Sequence, residues 1–307
     1  MMINTLSVSY QVCSDIMKNH SKSFYQAFKN LPPDRFRGVT AIYAFCRFVD
    51  DLVDEKDESV LVNNYLTELK LLAETTNFRD SASEELIRLP WWSAFVDTVE
   101  KYQVSTKAIM DQVLGQESDQ CFELFETFSD LELYCRRVAG SVGAMLWPML
   151  AKESCLNDEK QADYLEICYQ LGTALQLTNI LRDVGEDLRQ RQRIYLPKYL
   201  FIQEGVTFSD LSTLINEPQP IPEWFKNIWC HLSLVSNKYY DLFEKNIHIF
   251  HKDCQVSLLS AARIYHAIEE EVISSGYDCL YQRHYTSHYK RLTILKQVNK
   301  ELSSSIL

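Results

Sequence analysis

From one end of the chain to the other, apolar residues recur at intervals of three and four. Nowhere does a run of useful length alternate as a strand would. Turn-formers are scarce as well: 8 Gly and 8 Pro make 16 in 307 residues, roughly 5% against about 12% in average usage. That scarcity argues against sandwiches, barrels and Gly-rich nucleotide folds, and it predicts an all-α chain. Helices are predicted over 10–29, 33–54, 59–75, 83–102, 105–115, 129–151, 158–188, 223–247, 253–274 and 278–300. Pro32-Pro33 ends one helix and starts the next, Pro90 breaks or kinks another beside Trp91-Trp92, and 216–222 is the clearest loop. The helices flanking that loop are too amphipathic to stand alone, so residues 1–307 are expected to form a single-domain helical bundle. There is no internal repeat of solenoid length.

Charge narrows the partners. Lys+Arg 31 against Asp+Glu 42 gives −11, whereas a nucleic-acid binder is usually basic, so no nucleic acid is expected. Nine Cys without a C-x-x-C pair are expected as small buried hydrophobes in a reducing compartment. The start, Met1-Met2-Ile3-Asn4, lacks the basic-then-apolar build of a signal peptide. The longest uncharged stretch, 138–151, falls short of the roughly 20 residues that span a bilayer. The expected location is the cytoplasm, with peripheral membrane contact, and the expected assembly a monomer or weak dimer.

Two segments carry the chemistry. In 38–54, Tyr43, Arg47, Asp50 and Asp54 are spaced +4, +3, +4 on one helical stripe, and the rest of the surface is almost wholly apolar. A helix apolar over most of its circumference is buried, so its polar stripe must meet something polar inside the protein. In 171–187, Gly172, Gln176, Asn179, Asp183 and Asp187 form a second stripe opposite Ala174, Leu177, Leu181, Val184 and Leu188. Either helix alone could be a plain amphipathic one. Two such helices, each with Asp residues one turn apart, fit hard cations better. Mg2+ takes oxygen ligands and is commonly shared between carboxylates and phosphates, so facing Asp pairs would hold several Mg2+ around a diphosphate. The Glu and Glu-x-x-His signature of a di-iron bundle is missing from both helices. So are G-x-G-x-x-G and the P-loop.

The pair 50–54 (DDLVD) and 183–187 (DVGED) resembles the squalene/phytoene synthase family of head-to-head prenyl synthases. Further blocks extend the resemblance over most of the chain: 20–24 (HSKSF), 134–143 (YCRRVAGSVG), 175–187, 193–197 (RIYLP), and 261–265 (AARIY) with Tyr277 and Arg283 beyond it. Within the family, the HSKSF, second-aspartate and AARIY blocks look most like those of bacterial members that join two farnesyl diphosphates. Two departures stand out. Arg136 occupies a position where many members carry an aromatic residue, and the 188–192 connection looks one residue longer than usual.

The resemblance implies an isoprenoid-synthase-type bundle with a central cavity. It implies Asp50, Asp54, Asn179, Asp183 and Asp187 as Mg2+ ligands. It implies diphosphate contacts from Arg47, Tyr43, Arg182, Arg193, Tyr265, Arg283 and the segment His20, Ser21, Lys22 and Ser23, with Gln176 on the ligand stripe. Tyr134 and Tyr195 would sit near the reacting carbons or the departing diphosphate. Phe24, Phe28, Val138, Val142, Leu171 and Leu175 would line tunnels for the isoprenoid tails, with chain length hinging on Phe24, Phe28 and Thr40.

The implied reaction condenses two farnesyl diphosphates through presqualene diphosphate to dehydrosqualene, opening carotenoid biosynthesis. Phytoene from geranylgeranyl diphosphate, and squalene or presqualene diphosphate, are the alternatives. A non-catalytic binding or assembly factor is the alternative of another class. Elsewhere, Trp91-Trp92 and Tyr239-Tyr240 are expected as core, Gly140 and Gly143 as close-packing positions, and 269–271 (EEE) as a solvated face. His231, His248, His251, His266, His284 and His288 show no ligand set.

Overall fold

The computed structural model describes residues 2–54, 60–216 and 219–304, with side chains for 6–22, 24–53, 62–216 and 219–304. The described chain is all-α. The first third holds α1 (Met2–His20), α2 (Lys22–Phe28), α3 (Pro33–Asp54), α4 (Val60–Thr75), α5 (Glu84–Ile87), α6 (Trp92–Tyr102) and α7 (Thr106–Glu117). The middle holds α8 (Phe128–Cys135), α9 (Ser141–Leu150), α10 (Glu153–Leu156) and the long α11 (Gln161–Arg191). There follow α12 (Lys198–Gln203), α13 (Phe208–Asn216), α14 (Glu223–Lys245), α15 (Lys252–Ser274) and α16 (His288–Ser304). Among the described residues the only β pairing is an isolated antiparallel bridge, Ala151 to Phe250.

The pattern's long helices are present, and its differences have local causes. The first predicted helix is two, parted at Ser21, whose backbone turns away from helix at φ −141° and ψ 83°. Pro90 parts α5 from α6. The predicted 129–151 helix is interrupted by one wide π-turn, Arg136–Gly140. The helices α12 and α13 were not predicted, being too short, at 6 and 9 residues, to display a periodicity. The last helix begins at His288, because 278–280 form a 3-10 turn and the segment after it runs irregularly.

The helix α11 runs through the middle, packed on α14, α9, α15 and the π-turn. Its contact with the π-turn and α9 is backbone to backbone. A Cβ on Gly143 would lie 2.3 Å from the Cys168 carbonyl oxygen, and one on Gly172 would lie 2.2 Å from that of Ala139. Only Gly permits this approach. Two hydrophobic clusters result. One gathers α1, α3, α6, α9 and α15, with Trp91 and Trp92 deep inside it. The other surrounds the second half of α11 with Trp229 and Phe225.

Two expectations are corrected. The acidic run is not wholly solvated: Glu269 is 2% exposed and accepts hydrogen bonds from Thr178, Ser233 and Ser236. Its position on α15 faces α11 and α14, and the three hydroxyls satisfy it there. Five Cys are buried as expected, but Cys121 is exposed on the loop after α7, and Cys46, Cys155 and Cys230 are half-buried.

Candidate active site

The face of α3 that ends in acid begins in hydrocarbon. Val39, Ile42, Tyr43 and Cys46 line a chamber, and Asp50 follows one turn beyond Cys46. The helix α11 repeats this order: Cys168, Leu171, Gly172, Leu175 and Asn179 line the same chamber, and Asp183 follows one turn further. Phe24 and Phe28 from α2, Val142 and Leu146 from α9, and Tyr265 from α15 complete much of the wall. The chamber holds about 1140 Å³, part of it open at the mouth.

The polar end is built from paired charges. Arg47 donates through Nε to Asp51 at 3.0 Å and lies 3.3 Å from Asp50. Arg182, almost wholly buried, donates through Nε to Asp183 at 2.8 Å. Arg283 reaches Asp183 and Glu186, each at 3.1 Å. Two tyrosines link these groups. Burial pushes the Tyr43 hydroxyl up to about 12 against the pull of the Arg47 cation, and both Tyr265 and Asp50 lie within its field. Burial likewise raises Tyr265, whose charged neighbours are Arg182, Asp183 and Arg283. Asp50 and Asp183 therefore belong to one electrostatic neighbourhood at one end of the chamber. Both tyrosines stay protonated at neutral pH and can donate hydrogen bonds.

The other candidate residues divide by position. Ser21 bonds the Tyr43 hydroxyl, while His20 and Lys22 are exposed at the α1–α2 break. The side chains of Ser23 and Asp54 lie outside the described residues. Gln176 accepts from Asn179 Nδ2 at 3.3 Å. Asp187, like Asp50 and Asp183, lies beyond the residues of the chamber wall: its carboxylate accepts from Arg191 at 2.9 Å, has Asp183 within its field and borders a small separate pocket. Burial, against the opposing Arg191 bond, lifts its carboxyl to about 6.

Tyr134, Tyr195 and Arg193 also stand off the chamber wall. They converge on Asp119, which lies 3.1 Å from the Tyr134 hydroxyl and 3.2 Å from the Arg193 guanidinium. Val138 packs with them in the second core cluster, one position off the face defined by Ala139, Val142 and Leu146. Thr40 is fully buried and bonds the Arg37 carbonyl, and it does not touch the chamber. Arg136 stacks on Tyr169 at 4.0 Å and pairs with Glu166.

Three groups were missed by the pattern. Asp51 stands i+4 from Arg47 and was visible as such a pair. Glu186 is one of the 183–187 block. Asp119 lies in a loop without periodicity and gave no signal.

For a hard cation, the donor set is all oxygen. Asn179 Oδ1 is buried at the chamber wall with no hydrogen-bond partner, an orphan that costs free energy unless something binds it. Among the described residues, no three His, Cys, Asp or Glu side chains are grouped as a metal site; Asp50 and Asp183 face arginines.

A helical chamber with an apolar interior and an Asp/Arg mouth is the build of the isoprenoid synthase fold. The chain belongs to the squalene/phytoene synthase family, whose model matches residues 17–292. It is 34% identical over 299 residues to the 4,4'-diapophytoene synthase of Staphylococcus haemolyticus, covering 97% of this chain and 99% of that one. It is 33% identical to the phytoene synthase of Arthrospira platensis, covering 95% and 92%. A solved dehydrosqualene synthase with bound ligand superposes with a TM-score of 0.82 at 34% identity, covering 97% and 98%. A squalene synthase from Alicyclobacillus acidocaldarius shares the fold at a TM-score of 0.73 and 22% identity, covering 89% and 95%. No described helix is long and apolar enough to cross a membrane.

Proposed function

We propose that this chain condenses two farnesyl diphosphates head to head, through presqualene diphosphate, to dehydrosqualene. The observation that carries this is a single apolar chamber whose α3 and α11 walls both run into Asp at the Arg-lined end. Full-length similarity to the S. haemolyticus enzyme favours the farnesyl substrate. The whole chain, 1–307, acts as one domain, cytoplasmic and monomeric or weakly dimeric, touching membranes only peripherally.

Asp50, Asp54, Asn179, Asp183 and Asp187 would hold Mg2+, directly or through water. Bound there, it would neutralise diphosphate oxygens and ease their departure. Arg47, Arg182 and Arg283 lie where they can take up the remaining charge, and Tyr43 and Tyr265 donate hydrogen bonds to the same oxygens. The allylic C–O bond of one substrate breaks and its electron pair leaves with the diphosphate. The C2–C3 double bond of the second attacks the C1 cation, and proton loss closes a cyclopropane. The second C–O bond then breaks, the skeleton rearranges, and a further proton is lost to give the central double bond. The rings of Phe24 and Tyr265, 5.3 Å apart, border the region where positive charge develops. The apolar wall keeps water from it.

The test is incubation with Mg2+ and labelled farnesyl or geranylgeranyl diphosphate, without nicotinamide, followed by identification of the hydrocarbon. Dehydrosqualene supports the proposal and phytoene reassigns the substrate. No product from either, with both diphosphates bound, leaves the non-catalytic binding role.

A further inference from the structure

We infer that Trp147, with Phe250 behind it, is the floor of the chamber and sets the longest prenyl chain it accepts. The inference rests on the proposed prenyl diphosphate chemistry and adds the residues that measure its substrate. Trp147 lines the chamber and is 3% exposed. Its place is the end opposite the charges. The helix α9 runs antiparallel to α11, with Gly140 against Tyr169, Gly143 against Cys168, and the Trp147 ring 6.2 Å from that of Tyr164.

The floor is braced. Phe250 meets Trp147 edge to face at 5.6 Å. Backbone bonds from Lys152 to Ile249 and from His251 to Leu150, both 2.9 Å, pin the Phe250 turn to the end of α9. The Trp147 Nε1 is buried without an acceptor, although a buried indole N–H usually has one. The ring is therefore held there by shape, not by a polar role. Phe24, by contrast, packs on Tyr265 at the charged end, and Thr40 is off the wall altogether, so neither bounds the depth.

Length decides what such a floor admits. From Asp50 to Val39 is 11 residues and from Asp183 to Cys168 is 15, or ~16 and ~22 Å at 1.5 Å per residue. An extended chain covers at most ~3.6 Å per three bonds, which makes a farnesyl chain of twelve bonds ~14 Å and a geranylgeranyl chain of sixteen ~19 Å. With the diphosphate standing between C1 and the aspartates, the deeper α11 side leaves room for the shorter chain above the indole, and the longer one presses on it. Removing the indole opens room for about one isoprene unit.

The experiment compares wild type, Trp147→Ala, Trp147→Phe and Phe250→Leu. One readout is the ratio of kcat/KM for geranylgeranyl over farnesyl diphosphate. The other is the ratio of Kd values for the unreactive S-thiolodiphosphates of the same chains. Trp147→Ala should raise both ratios at least ~10-fold, Phe250→Leu should raise them less, and Trp147→Phe should keep the wild-type preference. If Trp147→Ala does not fold, Phe250→Leu carries the test. Unchanged ratios in the folded variants overturn the floor, while a wild type inert toward every prenyl diphosphate overturns the parent proposal instead. If wild type already accepts the geranylgeranyl chain readily, the chain-length assignment fails; the floor then stands only if Trp147→Ala extends acceptance by a further isoprene unit.

Discussion

Glu269 offers a quantitative test of how the helix carrying Asn179 and Asp183 is held. Its carboxylate takes hydrogen bonds from Thr178 on α11 and from Ser233 and Ser236 on α14, at 2.5, 2.6 and 2.8 Å. Burial raises its pKa above the ordinary 4.5, against the pull of those three bonds and of nearby His266. The folded state thus holds the proton more tightly than the unfolded chain does. The stability this group contributes is full below its unfolded value and is lost as pH rises through the folded one. Over that window the loss runs at up to ~1.4 kcal/mol per pH unit for one proton. Glu269→Gln removes the proton and hence the slope. Glu269→Ala also opens a cavity and strands hydroxyls. Thr178 and Ser236 keep second partners in the Tyr240 hydroxyl and the Ser233 carbonyl, so the cost should be about 2–4 kcal/mol. Urea unfolding of wild type and Glu269→Gln from pH 4.5 to 8, taken as a difference so that other groups cancel, measures the slope, and Glu269→Ala at one pH measures the cost. A difference that is flat across that range would refute the reasoning.

Two further outcomes follow from named contacts. Gly143→Ala should destabilise by about 1–3 kcal/mol, because its Cβ would meet a carbonyl oxygen and α9 must move off α11; an unchanged urea midpoint would contradict that close approach. Arg283→Ala should alter stability by less than ~1 kcal/mol, since its ion pairs are over a third exposed on the arginine side, while KM for the diphosphate rises at least ~10-fold. Stability that falls with KM unchanged would make Arg283 a structural brace.

The architecture was legible because it is written in period. The apolar stripes of 38–54 and 171–187 fix which faces of α3 and α11 turn inward, and the acid at the end of each stripe follows from the same count. What period cannot carry was missed. Glu269 looks solvated as one of three consecutive Glu, and only the third dimension brings Thr178, Ser233 and Ser236 to it. Asp119 gathers Tyr134, Tyr195 and Arg193 from a loop with no pattern. Of the residues expected to govern chain length, Phe24 and Phe28 line the chamber and Thr40 bonds back to its own helix.

The most direct test of the central claim is turnover of labelled farnesyl diphosphate with Mg2+ by Asp50→Ala and Asp183→Ala, with helical content checked by circular dichroism. Both carboxylates meet arginines at the chamber's charged end and not packed hydrocarbon. The variants should keep wild-type helicity and lose at least ~10³-fold in kcat. Near wild-type turnover in both would contradict the assignment of the two aspartate helices to one diphosphate site.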